Sequence, residues 1–379
     1  MNIFERDEKK VEYIELIYDL VFVYMVGRNN ALLHHVEGGF VTPMAFLAYV
    51  LCTLAIIQIW NFTTFYINMF GRNSVRDHVF LFVNMYLMYF IGEATRADFE
   101  AYQAQYHIAW ALILVNIGVQ YVIELRNHKA DVWNRDIIKR MAATLFIEAA
   151  LVLTAAYPNA TLGIVMSAAA IAVGVGLTSI GRFRSPGGAV DFTHLTERAM
   201  LYVVFTFGEM IIEIAAYFAG DGSFSLNTIY FSLMAFLIVA GLFLSYGIFY
   251  NHLLDRGKED NGFLYMIIHI FIIFALNNIT TSLGFMREEE IALLPKMEFL
   301  VLSVIAYYVL LFLTRRYSKA SCRLSGSLVA KLTALTMGFA VLMIVFRRHM
   351  YINIFITVLY VFSIMLVLYR AKMWVEKNE

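Results

Sequence analysis

Charge is what this sequence has least of. Only 15% of its 379 residues are Asp, Glu, Lys or Arg, where a soluble domain carries about a quarter. That deficit excludes the two or three soluble domains that the length could hold. Net charge is zero, with 29 basic and 29 acidic residues, so no global field exists to gather nucleic acid. Cysteine is nearly absent. Cys52 falls in an apolar run and Cys322 in a basic loop, so a disulfide between them is not expected. There is no phosphate-binding glycine loop, no paired-cysteine zinc spacing and no H-E-x-x-H. No loop is long enough for a catalytic domain. An enzyme, a cofactor and a metal are therefore not expected. The charged segment from Met1 to Lys10 is followed by no small-residue cleavage site, so the first helix reads as retained rather than as a signal peptide.

Apolar residues are what the chain has instead. They make up 61%, aromatics 16%, and mean hydropathy is +0.68. A membrane span needs roughly 20 mostly apolar residues. Such runs fall near 15–33, 42–68, 78–96, 105–123, 140–157 and 160–178. They continue near 197–219, 227–250, 262–283, 297–314, 328–346 and 350–369. Strands of a membrane barrel would alternate instead. The expected architecture is all-α, a polytopic membrane protein of about twelve transmembrane helices. Alternating the loops from the N-terminus puts 22 lysines and arginines on the N-terminal side and 5 on the other, with Arg28 and Arg198 in or at the mouth of spans. That bias is a positive-inside signal and predicts both termini in the cytoplasm.

The chain also echoes itself. Residues 12–33 and 194–215 align so that Glu15 meets Glu197, while Gly27-Arg28 falls within one residue of Gly208-Glu209. Trp60, Tyr66 and Arg72 then parallel Tyr246, His252 and Lys258. Two six-helix repeats of the same orientation are implied, 1–183 and 184–379, related by an axis along the membrane normal.

Ionisable groups inside spans are expensive and usually functional. Glu15 and Asp19 are four apart, hence on one helix face. They either cap the first helix and complement its dipole or gate a path. Asp19 would sit one or two turns inside the cytoplasmic mouth, still hydrated and able to attract a cation. Arg28 is expected near mid-span, paired with Glu209 or Glu213 of the seventh span. That pair is either a structural ion pair or part of a site. The seventh span opens with His194-Leu195-Thr196-Glu197-Arg198. Asp191 or Thr193 can cap it, with Glu197 in the first turn, and Arg198 can bridge to Glu15 or Asp19. Asn116, Gln120 and Glu124 form a polar stripe facing other helices. Glu148 is alone in the fifth span. His269, beside Asn277 and Asn278, reads as a hydrogen-bonded packing residue more readily than as a ligand. Trp60, Asn61, Thr64 and Tyr66 lie where aromatics usually form the interfacial belt. The small residues of the sixth span suit close helix packing, and the 124–140 loop reads as lying along the headgroups.

E-L-I-Y-D-L-V-F-V near the N-terminus and H-L-T-E-R…F-G-E before the middle resemble the bacterial low temperature requirement A (LtrA) family. The matching positions are Glu15, Leu16, Asp19 to Val23, Trp60, Asn68, His194, Leu195, Glu197, Arg198, Gly208 and Glu209, and His269 looks like a histidine common in the family's ninth helix. Two departures stand out. The family usually has an uncharged polar residue near Arg28, and Arg-Phe-Asp where this chain has Met69-Phe70-Gly71. A fainter likeness runs to two-repeat endolysosomal potassium channels, through Tyr18 to Phe22 and Trp60…Tyr66. The resemblance implies a membrane protein linked by name to growth in the cold.

The leading expectation is a transporter or channel for a small solute or ion, with its site between the two repeats. Its candidate residues are Glu15, Asp19, Arg28, Trp60, Tyr66, His194, Glu197, Arg198, Glu209, Glu213 and His269. The rival is a non-transporting membrane sensor or lipid-binding scaffold. An intramembrane enzyme ranks last. Expected partners are membrane lipids and the solute or ion, not nucleic acid. Oligomeric state is open.

Overall fold

The computed structural model describes residues 9–34, 36–96, 99–127, 132–180, 190–219, 225–319 and 326–378. Among these are twelve α-helices: α1 (Tyr13–Arg28), α2 (Pro43–Phe70), α3 (Val75–Ala94), α4 (Phe99–Glu124), α5 (Val132–Ala155), α6 (Ala160–Ile180), α7 (Phe192–Ala219), α8 (Leu226–Ile248), α9 (Phe263–Phe285), α10 (Leu293–Leu313), α11 (Gly326–Val345) and α12 (Met350–Asn378). Eight are long and apolar enough to cross a membrane: α2, α4, α6 and α8 to α12. The protein is thus a polytopic, helical membrane protein. The repeat boundary expected at 183/184, like Cys322, lies outside the described residues. Cys52 is buried as a free thiol.

Local chemistry sets the helix starts. Thr42 accepts the Ala45 N–H at 3.3 Å and Pro43 occupies the first helical position of α2, where its missing N–H costs nothing. Ser74 and Asp77 cap α3 reciprocally, at 3.3 Å and 3.2 Å. Between α1 and α2 a hairpin pairs Val36–Glu37 with Phe40–Val41. Its two-residue loop needs positive φ twice, and Gly38 (63°) and Gly39 (87°) supply it.

Three expectations are corrected. The sequence predicts a first span over 15–33, but α1 ends at Arg28 and a 3₁₀ turn runs over Asn29–His34. Arg28 is therefore the last residue of a short helix rather than mid-span, a place the dipole favours for a cation. The 124–140 segment is not a surface loop throughout, because α5 is already helical from Val132. Glu197 lies in the second turn of α7, which starts at Phe192.

Contacts divide the chain into two compact units. One comprises the described parts of Met1–His35, Val41–Tyr202 and Gly257–Met266; the other those of Val36–Phe40, Val203–Arg256 and Ile267–Glu379. In the first, α4 packs on α3 and α5, α5 on α6, and α1 on α2 and α3. In the second, α12 packs on α8, α10 and α11.

Two helices of the first unit are turned inside out relative to a soluble protein. On α3, Val75, Val79, Phe82, Tyr86 and Tyr89 are exposed at alternating spacings of four and three, while Asp77 and Asn84 are buried. On α1, Ile17, Leu20 and Tyr24 are exposed while Glu15 and Asp19 are buried. A periodic apolar stripe facing outward and a polar one facing inward is the pattern lipid selects.

The second unit closes tightly where α8 meets α12. A Cβ at Gly241 would strike Val361 Cγ1 and lie 3.4 Å from Phe362 Cε2, the close approach that small residues permit. Gly241→Ala is expected to cost about 1–3 kcal/mol by overpacking, read as thermal stability in detergent. Val361→Ala in the same chain should restore part of it. Additive losses would show that the two positions do not share that contact.

Candidate functional site

The first unit holds a buried charge cluster assembled from residues up to 183 positions apart. The first turn of α1 presents Glu15, and the next turn presents Asp19 on the same face. Facing them, α7 begins at a real cap: Asp191 Oδ1 accepts the His194 N–H at 3.0 Å. That start sets the phase of α7, so His194 and Arg198, four apart, share a face.

Arg198 is fully buried, as is Asp19. Its Nε donates to Asp19 Oδ2 at 3.1 Å and its Nη2 to Asp19 Oδ1. The third nitrogen, Nη1, donates to Glu15 Oε2. This is the two-pronged fork that only a planar guanidinium makes, with one further arm to a second acid. Trp60 Nε1 donates to Asp19 Oδ1 at 2.7 Å. The indole ring lies under the Arg198 guanidinium at 6.0 Å and against Tyr202 at 4.4 Å. Glu15 keeps its capping duty as well, since Oε1 accepts the Glu12 N–H at 3.3 Å.

A second layer orients the first. Asn68, near the end of α2, accepts the Asp191 N–H at 3.0 Å and donates to the Asp191 carbonyl at 2.8 Å. Both ends of its amide are thereby assigned. The same Nδ2 donates to His194 Nδ1 at 3.0 Å, so His194 carries its proton on Nε2, which points at Glu15 Oε2 from 3.5 Å. Lys9 closes the assembly. Its Nζ caps the end of α2 through the carbonyls of Ile67, Asn68 (3.5 Å) and Gly71 (2.9 Å). Burial holds the Lys9 ammonium below its ordinary value, against the pull of Glu15 and Asp77.

Five candidates thus meet at one place: Glu15, Asp19, Trp60, His194 and Arg198. Two readings change. Trp60 and Tyr66 are buried inside the unit and do not form an interfacial belt. Asp19 is not a hydrated carboxylate at a mouth; it is sealed in a salt-bridged core. The remaining candidates lie elsewhere. Tyr66 donates to Glu124 at 3.4 Å, and Arg76 pairs with both Glu124 and Asp77. Arg28 is half-buried and donates to the Gly92 carbonyl at 3.5 Å. Glu197 is half-buried with no ion pair among the described residues. Glu209 and Glu213, four apart on α7, belong to the second unit, so their expected pairing with Arg28 would join residues of different units. His269 is buried and bonded to Tyr246 at 3.2 Å. The polar stripe of α4 does face other helices, with Asn116 donating to Asn84 at 2.8 Å.

Sequence reasoning missed the Arg76–Glu124 pair. Its signal was topological: α3 and α4 are consecutive and antiparallel, which brings the start of one beside the end of the other. It also missed Tyr18, whose hydroxyl joins Thr63 (2.9 Å) to Asn84 (3.3 Å) beneath the cluster.

The profile of the family described as bacterial low temperature requirement A protein (LtrA) matches residues 10–363. That range contains every residue of the cluster except Lys9. No curated protein matches the chain significantly.

Removing one member of a buried ion pair leaves the other charge uncompensated, at a cost of about 3–5 kcal/mol. Arg198→Ala and Asp19→Asn are both expected to lose that much stability in detergent. Arg198→Ala combined with Glu15→Gln and Asp19→Asn removes all three charges and should recover part of the loss. A triple variant no better than Arg198→Ala would refute mutual compensation. Arg198→Lys keeps the charge but not the fork, and should fall between wild type and Arg198→Ala.

Proposed function

The chain belongs to the bacterial low temperature requirement A family and is a multi-pass membrane protein, and on that premise we propose that it moves a small solute or ion across the bacterial cytoplasmic membrane. The observation that carries this reading is the Glu15–Asp19–Arg198–Trp60 cluster. Membrane interiors rarely keep charge without use, and this cluster ties the beginnings of α1 and α7 to α2 at a single point. In this reading it is the closing contact of the transport path, made in one state and opened in another.

We further propose twelve spans, with both termini in the cytoplasm. The four helices that fall short on apolarity or length, α1, α3, α5 and α7, each carry buried charge, Glu15 and Asp19, Asp77, Glu148 and Arg198, whereas among the eight apolar spans buried charge falls only near helix ends, at Glu124 of α4 and Lys296 of α10, among the described residues. Their hydropathy is low because they feed polar groups inward, while α1 and α3 keep an apolar outer face. The lysine and arginine bias supports the orientation.

A second reading has its own observation. Arg198 and Asp19 are fully buried and their charges satisfied, which suits a static staple in a membrane sensor or lipid-binding scaffold. Two measurements separate the readings. Purified protein in liposomes is expected to pass a monovalent cation, protons or a small solute above protein-free liposomes, with Arg198→Lys altering the rate. Liposomes silent across that panel, with Arg198→Lys changing stability alone, would favour the scaffold. For topology, a reporter active only outside the cytoplasm, fused to the C-terminus, should stay inactive. Activity there would overturn the twelve-span arrangement.

A further inference from the structure

A different carboxylate in the first unit has no counter-charge among the described residues. Glu148 lies in the middle of α5 and is fully buried. Neither of its carboxyl oxygens has a hydrogen-bond partner among the described residues. The packing around it is shaped to receive it. Gly174 of α6 faces the group, and a Cβ there would come within 2.8 Å of Glu148 Cδ. The side-chain amide of Gln58, from α2, reaches the same vacated point. Gln58 Nε2 donates to the Ile171 carbonyl at 3.4 Å, while its Oε1 has no partner among the described residues. Glu148 Oε2 and Gln58 Nε2 thus meet around one missing side chain, and three buried oxygens, both of Glu148 and Oε1 of Gln58, have no donor among the described residues.

Among the described residues no cation stands by to neutralise the acid. Residues 160–180 of α6 contain no acid, base, tyrosine or cysteine. On α4, Glu124 is taken by Arg76 and Tyr66, and Tyr106 donates to the Cys52 carbonyl. His107, also on α4, is held between Ser167 and the Gln103 carbonyl. Tyr121 is buried there too, a neutral phenol. On α2 the nearby polar group is the uncharged Gln58. Along α5 itself, Arg140 is paired with Asp136 at 2.9 Å and lies about 12 Å away along the helix axis. An ionised carboxyl in such a place is strongly unfavourable. A proton relieves both problems at once: it removes the charge and turns one of three idle acceptors into a donor.

We propose that Glu148 is a proton-binding site within the membrane-embedded body, with the Gln58 side-chain amide as the polar neighbour of its carboxyl. The ligand is a proton rather than a metal ion, because the described groups offer one carboxyl and one amide oxygen, too few to replace the hydration shell of a cation. The inference does not rest on the transport reading. Should that reading hold, Glu148 is the group through which transport would couple to protons.

The test uses a hydrophobic carbodiimide, which enters the bilayer and reacts with protonated carboxylic acids. Wild-type protein in liposomes, treated at mildly acidic pH and analysed by peptide mass, should carry the adduct on Glu148. Labelling should fall several-fold as pH is raised into the alkaline range. Glu148→Gln should abolish the adduct at that peptide, and it should also remove a carboxylic-acid C=O band from the infrared spectrum. No adduct and no such band in the wild type would overturn the proposal. So would labelling that is independent of pH and suppressed by sodium or potassium, which would assign the site to a metal cation. Both readouts are made on the unmodified chain, so the result stands even if the glutamine variant folds poorly.

Discussion

The fold of the first unit depends on one constraint: a charge taken out of water must find its opposite within the protein. Arg198 meets it through three nitrogens, two on Asp19 and one on Glu15. Everything nearby serves that geometry. Trp60 holds the Asp19 oxygen that the fork leaves open to a second donor. Asp191 starts α7 at the residue that puts His194 and Arg198 on the inward face. Asn68 fixes the His194 ring from the side away from the acids. Because these residues come from α1, α2 and α7, satisfying one guanidinium also sets how three chain segments meet.

Much of this was legible in the sequence because the membrane raises the cost of polar groups so far that each one inside a span stands out. Twelve apolar runs became twelve helices. The sequence offers Asp191 or Thr193 as the cap of α7, of which Asp191 accepts the His194 N–H, and Arg198 as a bridge to Glu15 or Asp19. What failed had a common cause. Hydropathy locates a residue along the membrane normal but says nothing of its azimuth, whether it turns to lipid or to a neighbouring helix. Trp60 and Tyr66 were thus read as belt residues by depth, yet both point inward. Asp19 was read as hydrated for the same reason. Arg28 was misplaced because the apolar run continues past it into a 3₁₀ turn, which composition does not distinguish from helix.

Glu124 and Glu148 show how the same side chain takes two roles under one constraint. Both are fully buried in the first unit. Glu124 sits at the end of α4, within reach of Arg76 at the start of α3, so an ion pair neutralises it. Glu148 sits mid-helix, where the adjacent α6 is built of small apolar residues and has no base to offer. Gly174 makes room for its carboxyl, and the described residues supply no counter-charge. Helix ends can borrow cations from loops; helix middles must use what faces them. What faces the carboxyl therefore decides between pairing and protonation, as mid-helix Asp19, met by Arg198, also shows.

The cluster's own arithmetic bears on movement. Asp19 has two described donors outside its own helix, Arg198 and Trp60, and Glu15 has Arg198 and, at longer range, His194. Withdrawing Arg198 would take from both acids the guanidinium that balances their charge, an arrangement that buried carboxylates do not tolerate. Any state in which α7 draws back from α1 must bring in another positive charge, a cation or protons on the acids. By linkage, whatever binds only when the fork is open favours the open state by its difference in affinity between the two. In the transport reading, a sealed ion pair and a cation-dependent opening are thus compatible: the seal is what would make the opening depend on the cation.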